Sequence, residues 1–185
     1  MAAASSFGTP EDCPEEAGSS VSAAALLNIL ERVLHGSKSE WLFLRELRAG
    51  TGFRNSSSQR LDAFALNCLP HTAMRRVCYE VKISRADFLC ELRHPLKRRI
   101  GMRFSNEFFF VTPPGLLKTA EIPVECGLIE IDPTRQDYCT IVVPAPWRDT
   151  PGPTWQFAAA MLRNQRRQWE EPPPAVANQG RLTFE

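Results

Sequence analysis

The chain has 185 residues, 43% hydrophobic and 23% charged, with 22 Lys and Arg against 21 Asp and Glu for a formal net charge of +1. This fits one globular domain with a sizeable core plus tails, and no apolar run approaches the roughly 20 residues that cross a bilayer. The N-terminus lacks the basic-then-apolar order of a signal peptide, so a cytoplasmic protein is expected; the six cysteines show no CxxC pair and no zinc-ligand spacing, and read as reduced, mostly buried thiols.

In chain order, residues 1–20 are rich in Ala, Ser, Gly, Pro and Glu and hold too few large apolar groups to repay the entropy of ordering, which predicts a disordered tail. Residues 21–35 place Leu26, Ile29, Leu30, Val33 and Leu34 at helical spacing between an early serine and Gly36, predicting a first helix that also carries Glu31. The apolar and aromatic run WLFLRELR at 41–48 leads into Gly50-Thr51-Gly52, predicting a strand that pairs as a hairpin with residues 60–66. In that second strand Asp62 is the lone charge between Leu61 and Leu66. Aspartate is depleted in strands because its side chain competes for backbone bonds, so a functional role explains it better than packing. Glu46 would face Asp62 across the hairpin.

Alternation in residues 77–84 predicts a third strand, with Glu80 and Lys82 on one face and Val77, Tyr79, Val81 and Ile83 on the other. Two charges on an apolar strand need partners or a metal to offset their burial. Ser84 and Asp87 match a capping box, which starts a helix directly off this strand; Phe88, Leu89 and Leu92 form its apolar face until Pro95. The basic run Leu96-Lys97-Arg98-Arg99 follows, either a phosphate contact or a solvated face. Residues 107–111 predict a buried aromatic strand stopped by Pro113-Pro114-Gly115, and residues 127–131 and 138–143 two more strands. Residues 155–171 predict an amphipathic helix with Phe157, Met161 and Leu162 inward and Arg163, Arg166 and Arg167 outward, ended by Pro172-Pro173-Pro174. The expected organisation is an α/β domain over 21–171 and an extended tail over 172–185.

Asp62 followed by Glu80-Val81-Lys82 resembles the motif of the PD-(D/E)xK nuclease superfamily, although Leu61 stands where the family has its proline. The longer run of Tyr79-Glu80-Val81-Lys82, Ser84-Arg85-Ala86-Asp87-Phe88, Phe108-Phe109-Phe110-Val111 and Gly127-Leu128-Ile129 is similar to the MmcB-like family of DNA-repair nucleases within it. The resemblance implies a restriction-endonuclease-like αβββαβ core with a mixed sheet, here extended by C-terminal strands and a helix. It implies a deoxyribonuclease in which Asp62, Glu80 and Lys82 are catalytic. Asp62, Glu80 and the carbonyl of Val81 would hold Mg²⁺ or Mn²⁺, with Glu46, or alternatively Glu31, as a further acid. Ser84, Arg85, Lys97, Arg98 and Arg99 are the candidate DNA contacts. The same fold also serves as a non-catalytic nucleic-acid-binding module, and a buried ion-pair network of Asp62, Glu80 and Lys82 is the structural alternative. Finally, Gln179, Leu182 and Phe184 resemble the Q-x-x-L-x-F peptide that docks DNA-repair proteins on the bacterial sliding clamp.

Overall fold

The structure, a computed structural model, describes residues 21–48 and 60–169 apart from the side chains of Leu96, Lys97 and Trp169. The expected tails over 1–20 and 172–185, with Gln179, Leu182 and Phe184, lie outside the described residues. Helix α1 (Ala23–His35) starts where Ser22, in extended backbone, accepts the Ala25 N–H at 3.2 Å, and its apolar stripe of Leu26, Leu27, Ile29 and Leu30 is buried. Strands β1 (Trp41–Arg48), β2 (Arg60–Asn67) and β3 (Arg76–Val81) follow, then α2 (Arg85–Arg93), a short 3₁₀ turn and α3 (Arg99–Phe104). Strands β4 (Glu107–Thr112), β5 (Gly127–Glu130) and β6 (Thr140–Val143) lead to α4 (Trp155–Trp169).

The strands form one mixed sheet in the order β1-β2-β3-β4-β5-β6, parallel between β3 and β4 and between β4 and β5, antiparallel elsewhere. The protein is therefore α/β with a six-stranded mixed sheet and four α-helices among the described residues. Alternation sends β4 to both faces. Phe108 and Phe110 join Phe88 of α2, Phe104 of α3 and Phe157 of α4 in one apolar cluster, while Phe109 and Val111 join Tyr79 and the α1 leucines in the other. With both faces covered, β4 is buried from Phe108 to Thr112, as its continuous apolar run predicts.

Two inward assignments need correction. Leu162 is 72% exposed and Ala160 takes its place in the core, while on α2 Leu89 lies at the surface and Glu91 is buried instead. The helical period selects a face, and the residue types alone did not identify which positions it comprises. Of the described cysteines, Cys78 and Cys126 are buried, but Cys68 and Cys90 are exposed, which limits the expectation of mostly buried thiols. No helix among the described residues is long and apolar enough to cross a membrane.

Gly127 sits beside Phe109 in the parallel β4–β5 register, where a Cβ would come within 2.4 Å of the ring and 2.7 Å of the Ala145 nitrogen. Because Phe109 is buried and the second contact is backbone, Gly127→Ala is expected to cost roughly 2–3 kcal/mol of stability, read from urea unfolding. A loss below half of that would show that the ring has room to give.

Candidate functional site

The site forms where the regular pairing of β2 with β3 ends. The last paired residues there are Ala63 and Tyr79; one step further the register brings Asp62 opposite Glu80. Beyond that point the Val81 N–H donates to Asp62 Oδ2 at 2.9 Å, so the aspartate side chain takes the place of a ladder bond. Both hairpin strands slip here. Leu44 and Leu47 fall in one core cluster although three residues apart, as do Leu61 and Phe64. Glu46, between the first two, has a left-handed φ of 51°. The Arg45 carbonyl beside it accepts from Asn164 Nδ2 at 2.9 Å and Gln168 Nε2 at 3.3 Å, so α4 satisfies a backbone group at the slip.

Lys82 follows the last residue of β3 and is only 4% exposed. Its ammonium lies 3.0 Å from Glu80, 3.4 Å from Asp87 and 3.8 Å from Glu91, and its backbone N–H continues the parallel ladder to the Val111 carbonyl. The helix that supplies Asp87 and Glu91 is set by Ser84, whose hydroxyl accepts the Asp87 N–H at 3.2 Å. Four residues apart on one helix, the two acids share a face and close over Lys82. Asp87 and Glu91 were missed as site residues in the sequence; their i,i+4 spacing downstream of Glu80 and Lys82 was the available signal.

These groups line a cavity of about 530 Å³ with Ala23, Arg60, Asp62, Val81 and Ile83. Burial, and then the charge of Asp62, pushes the Glu80 carboxyl up to about 7. Burial also raises Asp62, against the Val81 hydrogen bond and the charges of Lys82 and Arg60. Burial alone would lower Lys82, but the Glu80 charge and hydrogen bond, with Asp87 and Glu91, outweigh it and raise the ammonium. The result is a fixed cation beside two carboxyls whose ionised forms are destabilised, a perturbed cluster in a cleft of the kind that marks functional sites.

The remaining candidates are dispersed. Glu46 lines a neighbouring cavity with Asp62 but is 69% exposed and pairs with Arg60 at 3.6 Å. Glu31 is held by Arg45, whose Nε donates to it at 3.1 Å. No group of three His, Cys, Asp or Glu side chains among the described residues is arranged to hold a metal ion. Ser84 is a helix cap, and Arg85 forms a surface pair with Glu121, donating from Nη1 at 2.6 Å. Arg99 is exposed, and the Lys97 side chain is outside the described residues. Arg98 overturns its assignment as a DNA contact. It is 5% exposed, 3.9 Å from Glu91 and 3.7 Å from Glu125, with its guanidinium over the Phe110 ring.

No protein-family model matches the chain, and no curated protein does. A solved structure of a protein of unknown function from Silicibacter pomeroyi is similar, with a TM-score of 0.54 and 18% identity over 82% of this chain and 94% of that one. The likeness extends to fold, an α/β chain of matching size.

Proposed function

We propose that the chain is a metal-dependent nuclease that hydrolyses DNA phosphodiester bonds, with a restriction-endonuclease-like core, acting in DNA repair or recombination. The observation that carries this reading is the buried juxtaposition of Asp62, Glu80 and Lys82 at the end of β3, with an ammonium 3.0 Å from one of two carboxyls of raised pKa. The element order α1, β1, β2, β3, α2, β4, interrupted only by the short α3, supports it. Two carboxylates fit a Mg²⁺ or Mn²⁺ ion, because Mg²⁺ is usually held by one or two protein carboxylates, with waters and substrate phosphate completing its shell. Asp62 and Glu80 would hold it, with the Val81 carbonyl as a further oxygen. Once bound, such an ion provides hydroxide near neutral pH and offsets phosphate charge. Lys82, fixed by Glu80, Asp87 and Glu91, places its ammonium where negative charge develops on the phosphate oxygens.

The test is a panel of labelled single-stranded, duplex and branched DNA, with RNA for comparison, incubated with the full chain and Mg²⁺, Mn²⁺ or chelator. Cleavage that needs the metal supports the reading; binding without cleavage in every condition ends it. A second reading has an observation of its own. Lys82, almost fully buried among three carboxylates, also suits a structural ion-pair network. In that case Lys82→Met changes the unfolding temperature and no activity exists to lose.

Metal binding should follow pH in a stated direction. Below about 7 Glu80 holds a proton that the ion must displace, so Mn²⁺ affinity is expected to rise as pH increases toward 7 and to level off above it. Titration calorimetry of the full chain should also register proton release below that point, and Glu80→Gln should flatten the profile. Affinity independent of pH in the wild type would remove Glu80 from the metal's ligands.

A further inference from the structure

Beside the Asp62–Glu80 cluster lies a second cavity, of about 540 Å³, which shares Ala23, Arg60 and Asp62 with the first. Its far wall is basic. Arg48 and Arg60 come from the facing ends of β1 and β2, and Arg167 from the last turns of α4, all three exposed. Arg45, also in the lining, is already committed to Glu31 and Asn28. Arg60 has only the long, solvent-exposed pair with Glu46, and Arg48 and Arg167 have no carboxylate within ion-pair distance among the described residues. The first turn of α1 closes the cavity, carries no acid, and leaves the N–H groups of Ala23 and Ala24 free after Ser22 takes that of Ala25.

We infer that this cavity is a phosphate subsite that holds the backbone of an unpaired DNA strand next to the bond broken at Asp62 and Glu80. The inference rests on the nuclease reading for its placement and on the arginines for its chemistry. Uncommitted guanidiniums supply charge-assisted, bidentate contacts to phosphate. The shared wall at Arg60 and Asp62 puts this subsite one step along a strand from the carboxyls. A cavity of this volume, walled by α1 on one side and α4 on the other, holds groups of nucleotide size and excludes a paired duplex.

The experiment measures anisotropy of a short fluorescein-labelled single-stranded DNA with the full chain in chelator, over a series of salt concentrations. Arg48→Ala with Arg167→Ala is expected to weaken binding about tenfold or more and to lower the magnitude of the log–log salt slope by about two, one for each lost phosphate contact. Arg163→Ala is the control, since Arg163 is exposed on the same helix but does not line the cavity. It should leave both quantities unchanged. An equal loss in Arg163→Ala, an unchanged slope in the double variant, or tighter binding of a blunt duplex than of the single strand would overturn the subsite. The two readings separate cleanly: a wild type that binds through Arg48 and Arg167 but never cleaves with Mn²⁺ keeps the subsite and loses the nuclease. One that cleaves while the double variant binds normally does the reverse.

Discussion

Asp62→Asn and Glu80→Gln are each expected to lower the metal-dependent cleavage rate about 100-fold or more, with Lys82→Ala in the same range. The first two remove a ligand charge with almost no change in volume, and the third removes the only ammonium within 4 Å of Glu80 among the described residues. Stability gives an independent readout that separates the roles. The Glu80 carboxyl titrates near 7 in the folded protein, above its ordinary 4.5, so the folded state holds that proton more tightly than the unfolded chain does. Its contribution to stability is full below 4.5 and is lost as pH rises through 7, which leaves an ionised, strained carboxylate at higher pH. Glu80→Gln should therefore unfold in chelator at or above the wild-type temperature when measured above pH 7, while cleaving at background rate. Lys82→Ala should unfold earlier, because it leaves Glu80 and Glu91 buried without their cation. Variants of Asp62 or Glu80 that fold and still cleave within a few-fold of wild type would sink the site.

How much of this was legible in the sequence varies by kind of information. The hairpin β1–β2, the strand β3 and the helix α1 followed from alternation, turn residues and a cap, all of which act within a few positions of one another. Asp62, Glu80 and Lys82 stood out because each is a charge in an otherwise apolar strand. What stayed hidden was set by distant parts of the chain. The slip of both hairpin strands at Glu46 and Asp62 depends on α4, whose Asn164 and Gln168 take the Arg45 carbonyl from far along the chain. The basic cavity was hidden for the same reason, since Arg48, Arg60 and Arg167 meet only after the hairpin and α4 have docked. The short helix α3 was overlooked because a run of Lys and Arg after Pro95 reads as solvated surface. Its partners Phe108 and Cys78, which close on Gly101, lie on other elements.

Arg98 is where the two kinds of reading part most sharply, and its replacement should have the largest effect on stability. In sequence it stands between two other basic residues, a patch for phosphate. In the fold it is almost wholly buried, donates from Nη1 to the Glu91 carbonyl at 3.2 Å near the end of α2, and faces the carboxylates of Glu91 and Glu125. Its guanidinium also lies 5.9 Å from the centre of the Phe110 ring. Arg98→Ala removes the positive charge from this arrangement and leaves Glu91 buried with only Lys82, at 3.8 Å, as its remaining cation. Breaking a buried pair in this way costs about 3–5 kcal/mol, which for a chain of this size lowers the unfolding temperature by roughly 10 °C. Arg99→Ala, on the exposed neighbour, should stay within about 0.5 kcal/mol of wild type. Adding Glu91→Gln to Arg98→Ala should recover part of the loss, since it neutralises the orphaned carboxylate, and a double-mutant cycle reads that coupling directly. If Arg98→Ala instead unfolds like wild type and lowers the salt slope of DNA binding by about one, Arg98 belongs to the surface and the brace on Glu91 does not exist.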